Sequence, residues 1–244
     1  MNRARSAAIA AEPESNIDER ILEHALEAFA ERGFHGTSIP ELLRAAQVGA
    51  SSFYRRYPSK EALVNAVFRR QKAALQAALE HGLDRLQPPR ALFDDFWGRL
   101  ARFARSHPRS FRFLELQDHV PYLDAESRAQ ELAVLAPIYV ACLDFQQRGV
   151  WRADIRPEAA IALVWGAFVG LCKAERLGYF ALTPTMITDG RDACWRALAT
   201  SSVEDSRSPR KEPAHADANV HSRPLAPAAE RSAAHPRKPR RARR

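Results

Sequence analysis

Apolar residues recur every three or four positions through most of the first 200 residues, and this spacing constrains the fold more than any other feature. The stripe is clearest near the start of the chain, where one helical face carries Ile21, Leu22, Ala25, Leu26 and Phe29. No stretch sustains the alternation of apolar and polar residues that a half-buried strand needs. We therefore expect an all-α fold.

Capping residues, prolines and glycines divide this region into about nine helices. We expect a capping box of Asn16 and Glu19 to begin the first helix, and one of Ser38 and Glu41 to begin the second. The predicted helices span about 17–33, 38–46, 50–57, 60–86, 90–106, 125–147, 157–178 and 185–199, with a short sixth helix that includes 111–116 and stops before Pro121. Pro137 lies inside the seventh and is expected to kink it.

The net charge of +8 lies mostly at the carboxyl end of the chain. Residues 201–244 carry 11 Lys and Arg against 5 Asp and Glu, together with six of the 16 prolines, so we expect a disordered basic tail. Such a tail either raises non-specific affinity for DNA or is a solvated extension without a dedicated role. Residues 1–14 are expected to form a flexible extension.

Other classes of protein fit the sequence poorly. The longest uncharged apolar stretch, 159–172, has 14 residues, too few to cross a bilayer, and the first residues lack the apolar run of a signal peptide. We therefore expect a cytoplasmic protein without membrane contact. The isolated Cys142, Cys172 and Cys194 are expected to be reduced thiols. No nucleophile with its base and no phosphate-binding glycine loop is visible, so neither catalytic residues nor a cofactor is expected.

One cluster has the side chains of a metal site. Glu115, Asp118 and His119 share a helical face and could bind a metal or a polar group of a ligand. No second cluster with ligand spacing lies nearby in the sequence. We therefore expect no metal site.

The first three predicted helices have the arrangement of a helix-turn-helix, in which the second helix of the motif enters the major groove of DNA. On the third helix, Phe53 and Tyr57 share an inward face. The outward positions then hold hydroxyl and guanidinium groups suited to base edges and phosphates, at Ser51, Ser52, Arg55 and Arg56. Lys60 lies in the first turn of the next helix, where a bound phosphate would offset its repulsion from the helix dipole.

Residues 17–64 resemble the DNA-binding domain of the TetR family of bacterial transcriptional regulators. The resemblance lies in Phe-x-x-x-Gly-Phe at 29–34, Thr-Ser at 37–38, and Phe-Tyr-x-x-Tyr-Pro-Ser-Lys-Glu at 53–61. It implies phosphate contacts from Thr37, Ser52, Tyr54, Arg56 and Lys60, and it places Ala50, Ser51 and Arg55 nearest the bases. It also implies a DNA-binding domain at 15–64 followed by a helical regulatory and dimerisation domain at 65–200.

Two positions depart from the pattern of this family. Gln47 stands where a turn glycine is usual, and Gly49 stands where a serine normally caps the recognition helix. The geometry of the turn is therefore open at this point.

The eighth helix is apolar nearly all round, which indicates burial on two sides. Gly166 and Gly170 would let another helix approach closely beside Trp165, Phe168 and Val169. We expect helices eight and nine to form a two-fold dimer interface; the alternative is a helix buried only within its own monomer.

Aromatic residues in the second domain are candidates for a cavity that binds a small-molecule effector, although aromatics at helical spacing also form ordinary cores. The candidates are Phe96, Phe103, Phe113, Tyr122, Tyr139 and Trp165. The sequence thus predicts a ligand-responsive repressor that binds a palindromic operator in double-stranded DNA as a homodimer. The alternative is a protein that binds DNA without sequence preference, or another partner, through its basic tail.

Overall fold

The computed structural model describes residues 14–200, with side chains from residue 16 onward. The predicted tail at 201–244 and most of the predicted amino-terminal extension lie outside this range. Within it, the structure contains nine helices: α1 (Glu14–Arg32), α2 (Ile39–Ala46), α3 (Ala50–Arg56), α4 (Lys60–Glu80), α5 (Pro89–Ser106), α6 (Pro108–Leu116), α7 (Ala125–Gln147), α8 (Pro157–Arg176) and α9 (Pro184–Leu198). A 3₁₀ turn, Val120–Tyr122, lies between α6 and α7. No strand occurs in the described range, and the all-α prediction is confirmed.

Three helix starts follow directly from local sequence. The side-chain oxygens of Ser59, Asp124 and Thr183 each accept a hydrogen bond from the backbone N–H three residues later, at 3.1, 2.8 and 3.3 Å. This bond satisfies one of the donors that the first turn of a helix leaves without a partner. The starts of α4, α7 and α9 are therefore fixed by single capping residues.

Both predicted capping boxes are absent. The helix α1 already begins at Glu14, so Asn16 lies inside it, and Glu19 instead accepts a hydrogen bond from Arg70 at 2.9 Å. Ser38 has the extended backbone of a cap, but its side chain makes no cap hydrogen bond. Glu19 is therefore bonded to Arg70 of α4 and not to the backbone at the start of its own helix.

The fourth helix is shorter than predicted. It ends at Glu80 rather than near residue 86, because Gly82 adopts a left-handed conformation with φ of 65°. A glycine in this conformation just beyond a helix is a common helix terminator.

The helices α1, α2 and α3 pack around a small core with the first half of α4. Fully buried residues of this core include Ile21 and Phe29 of α1, Phe53 of α3 and Leu63 of α4. The helix α6 packs on the other side of α1, where the rings of Phe29 and Phe113 lie 6.2 Å apart. The helix α4 therefore runs from the helix-turn-helix into the rest of the molecule.

A second, aromatic part of the core lies among α5, α7, α8 and α9. Trp97 is 1% exposed, and its indole N–H donates to the carbonyl of Ile187 at the start of α9. Phe93 lies 5.3 Å from Trp195 of α9 and 5.9 Å from Trp151, measured between ring centroids. These contacts bring α5 and α9 together, and Phe93 and Trp151 also line the cavity described below.

Candidate DNA-binding helix and regulatory cavity

The recognition helix α3 has one buried and one exposed face. Phe53 is fully buried and Tyr57, just after the helix, is 9% exposed. The helix leaves Tyr54 and Arg55 exposed between them, and it also exposes Ala50 and Ser51 before Phe53. Because side chains four positions apart share a helical face, the two inward rings hold the intervening polar groups at the surface.

The turn between α2 and α3 is built on Gln47. This residue has φ of 54° and ψ of 43°, and it is the one non-glycine residue with positive φ in the described range. The guanidinium of Arg20 donates to its carbonyl at 3.4 Å. Gly49 has ordinary extended backbone and begins α3 without a side-chain cap. Gln47 thus adopts the left-handed conformation for which glycine is usual, at some cost in strain.

Arg56 does not point outward as the helical pattern predicted. Its Nε atom lies 3.2 Å from Oδ1 of Asp18, and its side chain is 11% exposed. Its Nη1 atom also donates to the carbonyl and the hydroxyl oxygens of Ser52, at 3.1 and 3.0 Å. Tyr57 donates to the same Asp18 carboxylate at 3.3 Å, and burial together with this carboxylate raises the pKa of Tyr57 to about 12. Asp18 therefore draws Arg56 toward α1.

Two further residues predicted to contact phosphates lie in less exposed positions. Thr37 is 3% exposed, and its hydroxyl donates to the carbonyl of Gly33 at 2.8 Å. The ammonium of Lys60 lies 4.4 Å from the ring centroid of Phe34, and burial lowers the pKa of this lysine. Lys60 is half-buried and keeps part of its surface open, whereas the hydroxyl of Thr37 is used inside the protein.

A junction that the sequence pattern did not reveal connects the helix-turn-helix to the 3₁₀ turn. Phe34 stacks on Tyr122 with ring centroids 3.9 Å apart, and the Tyr122 hydroxyl is 2.7 Å from Nε2 of His35. The buried amide of Asn65 donates to the carbonyl of Tyr122 and accepts from the backbone N–H of Asp124. The only sequence signal was a polar residue, Asn65, on the apolar face of α4.

A cavity of about 330 Å³ lies among α4, α5, α7 and α8. Most of its lining is apolar, and two of the predicted effector-binding residues, Phe96 and Trp165, belong to it. The polar side chains of the lining are Gln76, Glu80, Arg85 and Asp144. Cavities of this size and composition bind small, largely apolar molecules.

The other predicted cavity residues lie elsewhere. Phe103 stacks on His107, with ring centroids 5.0 Å apart, and the ring of Phe113 lies tilted against that of His119, with centroids 4.1 Å apart. Tyr122 belongs to the junction with Phe34, and Tyr139 does not line this cavity although it lies on α7. Helical spacing identified these residues as inward, but it could not show which interior space each one meets.

The predicted dimer face of α8 is partly exposed. Gly166 and Gly170 lie at the surface, and a Cβ added at either would meet no atom within 4 Å. Val169 is half-buried. Phe168 is fully buried inside the monomer, 5.4 Å from Trp97 and 5.7 Å from Phe111, so its ring is not on this face. By length and composition α8 could cross a membrane, and 17% of its most apolar window is buried.

The three residues considered as metal ligands have other partners or lie apart. Glu115 is 3.5 Å from the ammonium of Lys72, and its other oxygen accepts from Trp165. The Nε2–H group of His119 donates to the carbonyl of Phe113. Among residues 14–200, no group of three His, Cys, Asp or Glu side chains is placed to hold a metal ion.

Comparison with protein families gives a match along most of the chain. The model for bacterial regulatory proteins of the tetR family matches residues 21–67, and the model for the tetracyclin repressor-like C-terminal domain matches residues 68–200. The HTH-type transcriptional regulator RutR of Escherichia coli K12 is 27% identical over 165 residues, which cover 67% of this chain and 74% of RutR. The uncharacterised HTH-type regulator YuxN of Bacillus subtilis is 41% identical over 44 residues, covering 18% of this chain and 15% of YuxN.

Solved structures share the same fold. A TetR-family transcription regulator from Marinobacter aquaeolei VT8 superimposes with a TM-score of 0.67 at 22% identity, covering 76% of this chain and 97% of that one. A second structure, described as a tetR-family regulator from Shewanella sp. PV-4, gives a TM-score of 0.66 at 22% identity, covering 75% and 98%. At these identities the likeness concerns the fold alone.

Proposed function

Because the chain belongs to the TetR family of bacterial regulatory proteins, we propose that it is a ligand-responsive repressor that binds a palindromic operator as a homodimer in the bacterial cytoplasm. Members of this family are DNA-binding transcriptional regulators and not enzymes. Family membership alone does not establish operator binding, dimerisation or a response to a ligand. The support for these three parts of the proposal comes from α3, α8 and the cavity, respectively.

The exposed face of α3 is the observation that carries the proposal. It presents the hydroxyls of Ser51 and Tyr54 and the guanidinium of Arg55, above the buried ring of Phe53. Hydroxyls contact phosphates or bases, and an arginine can donate two hydrogen bonds to a guanine in the major groove. We assign Ala50, Ser51 and Arg55 to the base edges and Tyr54 and Lys60 to the phosphate backbone.

We assign Thr37, Ser52 and Arg56, which the family resemblance places at phosphates, to the positioning of the DNA-binding helices. Arg56 and Ser52 are hydrogen-bonded to each other, and Arg56 is also paired with Asp18. Thr37 closes the end of α1 through its bond to Gly33. These contacts hold α3 and the start of α2 against α1, so that backbone groups and the exposed side chains reach the duplex in a fixed orientation.

A second copy of the chain is the partner that we propose for the open face of α8. Leu163 is 43% exposed there, and Gly166 and Gly170 leave room for another helix to lie close. Insertion into a membrane would require all of α8 to leave the monomer. However, Ala160, Val164 and Phe168 of α8 are buried within the monomer. To read a palindrome, such a dimer must hold its two copies of α3 about 34 Å apart, one turn of DNA.

The cavity supports binding of an effector that is largely apolar. Its polar lining contains two carboxylates, Glu80 and Asp144, against one guanidinium, Arg85, which lies 3.9 Å from Glu80. Asp144 is likewise paired, with Arg148 at 3.1 Å, so the charges around the cavity are balanced and its apolar walls decide which molecules fit. The effector must bind one conformation of the dimer more tightly than the other to change its affinity for DNA.

Selection of binding sites from a random DNA library tests the proposal. The full-length protein should enrich an inverted repeat whose half-sites are about 10 base pairs apart, centre to centre. Binding at 150 mM salt should be at least about 10³ times tighter for the enriched duplex than for a scrambled one. Enrichment of no common sequence would favour binding through the basic tail and would contradict sequence-specific repression.

A further inference from the structure

The side chain of Trp165 takes part both in the wall of the cavity and in a contact with α6. Its ring forms part of the wall of the cavity, and its indole N–H donates to Oε2 of Glu115 at 2.6 Å. Glu115 lies on α6, outside the lining of the cavity. A molecule that enters the cavity therefore meets the side chain that is bonded to α6.

Glu115 is in turn part of a buried group of charges. Its Oε1 atom lies 3.5 Å from the ammonium of Lys72 on α4, and the same ammonium is 2.8 Å from Glu131 on α7. The side chain of Lys72 is 5% exposed and that of Glu115 is 10% exposed. Charges this deeply buried depend on their partners, so a change at one of them alters the placement of the others.

Both helices that carry this pair reach the DNA-binding helices. The helix α4 starts at Lys60, directly after α3, and continues through Lys72 to the cavity. The helix α6 packs on α1 through Phe113 and Phe29, and Gln117, just beyond α6, donates to the carbonyl of Ala30 at 3.3 Å. Glu115 and Lys72 therefore lie on two helices that lead to or contact the DNA-binding helices.

We propose that Trp165 is the sensing residue of this protein. An occupant of the cavity pushes the indole aside, breaks its hydrogen bond to Glu115, and frees the Glu115–Lys72 pair to rearrange, which shifts α4 relative to α6. This inference rests on the proposed function and adds to it the side chains that couple the cavity to DNA binding. It assigns Glu115 and Lys72 as positioning residues rather than ligand contacts.

A double-mutant cycle tests the coupling without knowledge of the effector. Ala141→Phe places a ring in the cavity from α7, and Ala141→Leu is a smaller filling that serves if the phenylalanine prevents folding. Trp165→Phe keeps an aromatic wall but removes the N–H donor. The affinity of each single variant and of the double variant is measured on the duplex that the unmodified protein selects, with thermal unfolding followed for each.

We expect filling of the cavity to weaken operator binding about ten-fold when Trp165 is present and less than two-fold in the Trp165→Phe background. Equal weakening in both backgrounds would overturn the role of Trp165, and so would an unchanged affinity of the filled variants. These outcomes leave the proposed function intact. Failure of the unmodified protein to select any duplex would instead remove the proposed function itself.

Discussion

The Nε atom of Arg56 lies 3.2 Å from Oδ1 of Asp18, so an arginine of the recognition helix is paired with a carboxylate of α1. Its neighbour Arg55 is exposed at the surface. Two adjacent residues of the same type therefore differ in their surroundings. We assign Arg56 to the positioning of α3 and Arg55 to the contact with DNA.

Replacement of Arg55 should affect recognition more than stability. Arg55→Ala should weaken operator binding by about 1–3 kcal/mol and reduce the discrimination between operator and scrambled DNA, because a base contact is lost. Fluorescence anisotropy on both duplexes measures this, with Arg148→Ala, an exposed arginine of the opposite domain, as the control. An equal loss on both duplexes would assign Arg55 to a phosphate instead.

Replacement of Arg56 should affect stability. Arg56→Ala and Asp18→Asn should each lower the free energy of unfolding by about 1 kcal/mol, since each removes one partner of a contact in which the arginine is mostly buried and the aspartate is half-exposed. The double variant should lose less than the sum of the two single losses, because both changes remove the Arg56–Asp18 contact, whereas the bonds of Arg56 to Ser52 and of Tyr57 to Asp18 are affected separately. Urea unfolding followed by circular dichroism measures all three variants. Strictly additive losses would show that the two side chains do not act together.

Gln47 is a site where a glycine should stabilise the protein. Its φ of 54° is strained for a residue with a Cβ, so Gln47→Gly should raise the free energy of unfolding by about 0.5–1 kcal/mol, after the extra entropy of glycine in the unfolded chain is subtracted. Gln47→Ala keeps the strain and serves as the control. A glycine variant no more stable than the alanine variant would refute this explanation.

His119 should make the fold less stable in mild acid. Burial lowers the pKa of His119, its Nε2–H donates to Phe113, and Nδ1 has no hydrogen-bond partner among the described residues. Because the folded-state pKa is below the unfolded value, the unfolded chain binds the proton first as the pH falls. The contribution of neutral His119 to the free energy of unfolding is therefore fully present above about pH 6.5. It decreases below that pH, with a slope of up to about 1.4 kcal/mol per pH unit.

Urea unfolding from pH 7.5 to 5 measures this slope. His119→Phe, which retains a ring against Phe113, should have a smaller slope than the unmodified protein. His81→Gln alters an exposed histidine and should leave the slope unchanged. If the slope is the same in all three proteins, His119 is not the group that takes up the proton.

Gly170→Glu should separate dimerisation from folding. A Cβ at this position meets no atom within 4 Å, and glutamate favours a helix over glycine by about 0.5–1 kcal/mol. The charge would nevertheless be buried in the proposed interface. Light scattering should therefore give the monomer mass of 27.4 kDa, while Ala74→Glu on the exposed surface of α4 should give twice that mass. A dimeric Gly170→Glu variant would place the interface elsewhere.

The sequence by itself determined the helical architecture and most helix starts. Caps such as Ser59 and Asp124 act on backbone groups three residues away, and the spacing of Phe53 and Tyr57 decides which face of α3 is buried. The order of the residues in 53–61 was enough to indicate the family. These features depend on neighbours in the chain, which a sequence displays directly.

Only the tertiary structure decided where long or ambiguous side chains go. Arg56 turns inward because Asp18, 38 positions earlier, is brought beside it, and Trp165 meets Glu115 from a helix 50 positions away. Phe168 and Phe113 are inward residues in any helical pattern, yet neither lines the cavity or the open face of α8. Periodicity specifies which side of a helix is buried, whereas the partner on that side depends on how the helices pack.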